Sequence, residues 1–308
     1  MMVMVMVGEG VGFQDLPEGC IANVVSLTTP RDACSLALVS STFRSAAESD
    51  SVWDRFLPSD YNDIVSQSTS SSCRSKKQLY LSLCENPILV DDGKKSFQLD
   101  KAYGKKCYML SPRMLFIVWG DTPRYWKWTP LPEARFSEVA ELVSVCWLEI
   151  RGWINTHMLS PDTLYGAYLV FKPSSTGAYG FEYQSIEVSI AVAGGETHKR
   201  TVFLDPERGK RLRYQIVPRR VGIFNRTRMV AAAGPPQPPR DNLDDQYPKD
   251  RKDGWLEMEL GQFFCEGGED KEVEMGVYEI KGGDWKGGLL VQGIEVRPKQ
   301  CVHANNTI

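Results

Sequence analysis

Histidine is scarce in this chain, three residues in 308, and its eight cysteines include no C-x-x-C pair. Those absences remove most metal-site and catalytic-triad readings, because zinc ligation and imidazole base catalysis need such side chains gathered at short spacing. No run of about 18 apolar residues occurs, so no membrane-spanning helix is expected. A dominant charge is lacking as well: 36 Lys and Arg face 39 Asp and Glu, a net of −3 at pH 7. That balance gives no bulk attraction to nucleic acid or to an anionic membrane, and neither partner is expected. The apolar start, Met1 to Val7, has no basic leader and runs into Gly8-Glu9, which reads as a disordered tail over residues 1–12 rather than a secretion signal. Reduced cysteines in cytoplasm or nucleus follow, with the sequons at Asn225 and Asn305 unmodified.

What is present is enough apolar material to fold, 42% hydrophobic and 10% aromatic residues. The pattern is helical from Phe13 to Pro58. Short segments open at Leu16-Pro17, at Thr29-Pro30-Arg31-Asp32, at Ser41 and after Ser49-Asp50, each with an apolar stripe at three-to-four spacing. Helices this short cannot bury all of those side chains among themselves, so part of the surface is expected to belong to a partner. Residues 62–74 are serine-rich and read as a flexible connector, and a short helix is expected around Lys76 to Cys84.

Beyond Asn86-Pro87 the period switches to two. Tyr165, Ala167, Leu169 and Phe171 alternate, as do Ile186, Val188, Ile190 and Val192, then Leu256, Met258 and Leu260, then Val273, Met275 and Val277, then Ile294 and Val296. These read as half-buried strands of an antiparallel sandwich or jelly roll. The strand near Cys146 to Ile154 should send Leu148, Ile150 and Ile154 to one face and Trp147, Glu149, Arg151 and Trp153 to the other. A weakly patterned insertion at about 198–252 carries Arg211, Arg213, Arg219, Arg220, Arg226 and Arg228 and then Pro235 to Pro239. It reads as a solvated loop rather than an import signal or anion site.

Trp119, Trp126 and Trp128 fall within ten residues, beside Tyr125, Asp121, Arg124 and Lys127. Such a group fits either a packed core or a sugar site, where an apolar pyranose face stacks on an indole and its hydroxyls meet polar partners. Enzyme chemistry has no comparable cluster. Glu257 with Glu259 reads as the solvent face of a strand rather than a glycosidase pair, and neither catalysis nor a cofactor is expected.

The segment Phe13-Gln14-Asp15-Leu16-Pro17-Glu18, with Pro30-Arg31-Asp32, Leu36, Val39-Ser40-Ser41-Thr42-Phe43 and Trp53, resembles an F-box. That resemblance implies docking on the Skp adaptor of a Skp–cullin–F-box ubiquitin ligase, and through it on the cullin–RING core. Leu16, Pro17, Ile21, Pro30, Leu36, Val39, Phe43 and Trp53 are the implied contacts. From Lys106 onward, Val118 to Trp128, Val145 to Gly152, Asp253 to Gly261 and Gly293 to Pro298 resemble the Nictaba-like phloem lectins, the phloem protein two family. The implied organisation is a small helical F-box at 13–58, a linker with a short helix at 59–90, a β-sandwich lectin domain at 91–300 and a tail at 301–308. The implied site pairs Trp119 and Trp126, seven apart, with Asp121, Glu259 and Glu266 around N-acetylglucosamine or an N-glycan core on a target protein.

Overall fold

The computed structural model describes residues 16–68, 75–182, 184–205 and 246–299. Two compact units emerge, one running to Asp92 and resuming over Ser96–Cys107, the other holding Gly93–Lys95 and everything from Tyr108. A helical segment thus precedes an antiparallel, strand-rich body, as the sequence pattern implies.

The first unit carries α1 (Glu18–Ser26), α2 (Pro30–Leu36), α3 (Ser41–Glu48), α4 (Asp50–Phe56), α5 (Tyr61–Ser66) and α6 (Lys76–Glu85), then the short strands β1 (Ile88–Val90) and β2 (Lys95–Leu99). Local chemistry sets the helix starts. Thr29 accepts the Asp32 N–H at 3.1 Å ahead of Pro30, Ser40 accepts the Phe43 N–H at 3.2 Å, and Ser75 accepts that of Gln78 at 3.2 Å. Ile21, Val25, Ala33, Ala46 and Val52 form the core with Trp53. The connector expected from residue 62 is corrected in part, since α5 is helical to Ser66 with Tyr61 and Ile64 buried. Apolar residues at both ends of one turn overrode the serine content there; residues 69–74 lie outside the described set.

The second unit is a sandwich of two antiparallel sheets. β3 (Lys106–Leu110), β14 (Leu289–Pro298), β8 (Thr163–Pro173), β12 (Leu256–Cys265) and β11 (Lys249–Asp250) lie in that order, with β6 (Val139–Leu142) on β14 and β5 (Trp126–Thr129) on β6. The smaller sheet runs β10 (Thr197–Val202), β9 (Ile186–Val192), β13 (Glu272–Glu279), β7 (Leu148–Asn155), β4 (Phe116–Ile117). The inner faces touch: a Cβ added at Gly152 on β7 would lie 3.3 Å from the Ile294 and Leu110 side chains of the facing sheet. At the β14 bulge Gly293 has φ +146, and a Cβ there would meet the Leu110 carbonyl oxygen at 2.0 Å, so only glycine fits.

β7 and β13 alternate as expected, with Leu148, Ile150, Ile154, Val273, Met275 and Val277 inward. β8 differs, because both of its faces are buried. Val170 on its second face joins a satellite core with Met109, Phe136, Val139, Trp255 and Leu290, packed on by Leu131 and Ala134. The insertion also starts later than expected: His198 lies in β10, paired with Ile190, and Lys249–Asp250 forms β11. Period-two alternation is hidden there because β10 is mostly polar and exposed on both sides. The insertion arginines, Pro235 to Pro239, both tails and the two sequons fall outside the described residues. The six described cysteines are all free thiols.

Candidate functional site

Helical periodicity decides what the first unit shows to solvent. Val24 and Val25 are neighbours on α1, about 100° apart around its axis, so they cannot share one face. Val25 is buried and Val24 is exposed. Leu27, Leu38 and Val39 are also exposed, at 64%, 81% and 68%, with Leu16 and Pro17 exposed ahead of α1. Leu36 and Phe43 are partly buried and Pro30 is buried. Two implied contacts are buried: Ile21 is 1% exposed and Trp53 0%, its indole N–H donating to the Ala47 carbonyl at 2.6 Å. Val24, Leu27 and Leu38 are the exposed apolar positions that the F-box pattern alone did not mark. Beside Leu38 an apolar cleft of about 400 Å³ is lined by Pro30, Arg31, Cys34, Tyr80 and Leu81, with Trp53 also in its wall.

The aromatic turn follows β4. Val118 donates its N–H to Glu149 of β7 at 3.1 Å, and Thr122 closes the turn on the Trp119 carbonyl at 2.9 Å. Trp119 sits at φ +58, a left-handed conformation that is costly for a bulky residue. It is 42% exposed and tilts against Tyr125 with ring centroids 5.2 Å apart. Asp121 is exposed in the same turn.

Trp126 is not a second platform. It opens β5 at 2% exposure, and its indole nitrogen is buried with no hydrogen-bond partner. Trp128 is tied down by Gly120, whose carbonyl accepts its N–H at 3.1 Å, and by Arg113, 3.6 Å above its ring.

The glutamates do not join Trp119 either. The turn adjoins the Glu149 end of β7, whereas Glu266 lies 3.9 Å from Lys271, whose backbone meets Thr156 past the other end. Seven residues of strand put about 20 Å between them. Glu259 belongs to β12 in the larger sheet, paired with Lys299 at 2.8 Å. Of the five residues implied for a sugar site, only Trp119 and Asp121 therefore stand in one exposed turn: Trp126 is buried, Glu259 lies on β12 of the larger sheet, and Glu266 lies past the far end of β7.

The strand that the turn adjoins is β7, whose outward face the alternation does point to. Trp147 donates its indole N–H to Glu149 at 3.0 Å, Glu149 pairs with Arg151 at 3.1 Å, and Arg151 lies 4.7 Å over Phe116 and 5.7 Å from Trp153. Phe116, exposed on the two-residue strand β4, was not marked by any sequence pattern.

A separate charged network covers the larger sheet. Glu295 accepts from Arg251 at 2.7 Å, Arg297 at 2.6 Å and Arg135 at 3.2 Å. Burial alone would raise its carboxyl, but the guanidiniums outweigh burial and hold it down at about 2. Nearby, burial and the Glu259 carboxylate push the Tyr168 phenol up to about 12.

A helical F-box-like unit ahead of an antiparallel sandwich defines this molecule as an F-box protein. The chain belongs to the phloem protein 2 family, whose pattern matches residues 105–298, while the F-box-like pattern matches 13–59. It is similar to F-box protein PP2-B10 of Arabidopsis thaliana, 44% identical over 296 residues that span 96% of this chain and 97% of that one. F-box protein VBF of the same plant is 43% identical over 291 residues, 92% of this chain and 99% of the relative. Among solved structures, TmCBM61 in complex with β-1,4-galactotriose aligns at 10% identity and a TM-score of 0.28 over 60% of this chain and 87% of that one, too distant to argue from.

Proposed function

We propose that this chain is the substrate-recognition subunit of a Skp–cullin–F-box ubiquitin ligase, its helical unit holding the Skp adaptor and its sandwich capturing a target. The observation that carries the reading is the apolar surface left in solvent inside the F-box-like segment, led by Leu38 and Val39 at 81% and 68% exposure. Contiguous exposed apolar side chains on a small helical unit mark a partner surface. The protein carries out no covalent step of its own. It holds a target lysine near activated ubiquitin and so raises their effective concentration, in cytoplasm and nucleus, without cofactor, nucleic acid or membrane.

For the end of the sandwich at Trp119, recognition of a protein surface is favoured over a glycan. With Trp126 buried, the implied pair of sugar-stacking indoles is reduced to Trp119, and the neighbouring strands expose Phe116 and Trp147 beside Arg151, the residue types that anchor protein interfaces. Co-purification with a Skp adaptor tests the ligase role, using wild type, Leu16→Ala/Pro17→Ala and Leu38→Asp. Wild type should retain the adaptor and both variants should lose it; retention by all three sinks the docking surface, and no binding by wild type sinks the role.

A further inference from the structure

Two tyrosines of the sandwich stand in the same setting, one on each sheet. Residues two apart on a strand share a face, and the Tyr168 ring lies across Gly166 on β8 as the Tyr278 ring lies across Gly276 on β13. A Cβ at either glycine would strike the ring and its hydroxyl. Each tyrosine has a glutamate opposite it on both neighbouring strands, Glu259 and Glu295 beside Tyr168, Glu149 and Glu187 beside Tyr278. Each glycine has an arginine opposite it, Arg297 for Gly166 and Arg151 for Gly276.

The two arginines diverge. Arg297 stacks 3.8 Å over the Tyr168 ring and donates to Glu257 and Glu295, both at 2.6 Å, leaving 8% of Tyr168 exposed. A planar guanidinium suits that place, because it lays one face on the ring and turns its N–H edge to the carboxylates. Arg151 turns instead to Phe116 and Trp153, at 4.7 and 5.7 Å. Over Tyr278 no ring or cation stacks among the described residues, and the side chain lines a groove of about 860 Å³ across β13, β9 and β10.

Charge in the groove favours a cation. Glu187, Glu274, Glu279 and Asp284 line it against Lys199 and Lys281. Glu149 adds a fifth carboxylate, while Arg151 and the buried Lys286 add two cations, so the cations remain one short. The Asp284 carboxylate accepts from Gln184 at 2.8 Å and pairs with no cation among the described residues. At the ring, Glu274 accepts from the Tyr278 hydroxyl at 3.5 Å. β13 and β9 are hydrogen-bonded on both sides, so an incoming chain cannot add to them as a strand and must reach in with side chains.

We propose that this groove captures a partner polypeptide through an arginine side chain, its guanidinium stacked on Tyr278 as Arg297 stacks on Tyr168, with Glu187 and Glu274 accepting its N–H groups. The inference rests on the sandwich being the capture domain, and adaptor co-purification reports on the ligase role separately. The probe is a fluorescein-labelled glycine heptapeptide carrying two arginines, compared with its lysine and citrulline counterparts by anisotropy on the full chain, with thermal melting to check folding. The arginine peptide should bind wild type, the lysine peptide more weakly by about threefold or more, and the neutral citrulline peptide by about tenfold or more. Tyr278→Phe should stay within about threefold of wild type and Tyr278→Ala should weaken binding by about tenfold. Thr201 is exposed on β10 opposite Glu187, so Thr201→Arg gives that carboxylate a cation of the chain's own. It should weaken binding as much, whereas Thr201→Gln should not, and the pair serves if Tyr278→Ala does not fold. The inference is overturned by no binding of the arginine peptide to wild type, by equal binding of either comparison peptide, or by unchanged binding in the folded Tyr278→Ala or Thr201→Arg variant.

Discussion

The Trp53 ring packs against Tyr80 with centroids 5.2 Å apart, although the F-box-like match ends at residue 59 and Tyr80 stands on α6. Tyr80 is 1% exposed, and its hydroxyl donates to the Asp100 carbonyl at 3.1 Å. The helical core therefore closes only with residues well beyond the F-box segment. Tyr80→Ala should destabilise the first unit by about 3–5 kcal/mol, the usual result of truncating a buried aromatic side chain. Hydrogen exchange at the Val25 and Val52 amides reads it directly. Undiminished protection there means α6 is dispensable to the unit.

Adaptor docking and folding can be separated by burial. Leu38→Asp alters a residue 81% exposed and should change stability by no more than about 0.5 kcal/mol while abolishing adaptor co-purification. Trp53→Ala removes a core side chain and should lose the adaptor only together with the helical circular dichroism signal. A folded Trp53→Ala that fails to bind would restore Trp53 as a contact.

Acid should act through Glu295. Its folded carboxyl lies at about 2, below its ordinary 4.5, so the stability it contributes is present above pH 4.5 and is lost as pH falls towards 2. A shift of that size corresponds to about 3 kcal/mol. Glu295→Gln leaves the three guanidiniums without their central carboxylate, so it should be the less stable protein at pH 7 by about 3–5 kcal/mol, with the difference closing near pH 2. Urea midpoints at both pH values decide it, and parallel pH profiles would show that the carboxylate adds nothing.

How much was legible depended on whether one face of an element met water. β7 and β13 alternate in sequence because each has a solvated face, and their inward residues are found where the pattern puts them. β8 misled because Val170 and Tyr168 are covered by the satellite core and by Arg297, elements far away in sequence. The F-box motif located the helices but not their exposure, since a motif tryptophan such as Trp53 fits core and interface alike. Glu259 and Glu266 repeat the seven-residue spacing of the tryptophans, but only strand order reveals that β12 lies in the other sheet.

Trp119 and Trp126 should respond to truncation in opposite ways. Trp126 is 2% exposed, so Trp126→Ala opens a core cavity and should cost about 3–5 kcal/mol, although the buried indole nitrogen without a partner offsets part of that loss. Trp119 holds a left-handed backbone at φ +58, a conformation that costs a non-glycine residue on the order of 1 kcal/mol. Trp119→Gly relieves that strain while giving up the contact with Tyr125, worth about 0.5–1.5 kcal/mol, so the two changes nearly cancel. The melting temperature of Trp119→Gly should therefore stay within a few degrees of wild type, while capture of the ligase target, read by its ubiquitination in a reconstituted reaction, should fall by about tenfold or more. Strain kept at an exposed aromatic residue makes sense only if the ring is needed where the turn puts it. A Trp119→Gly variant that melts much lower and ubiquitinates its target normally would make the turn a structural element instead.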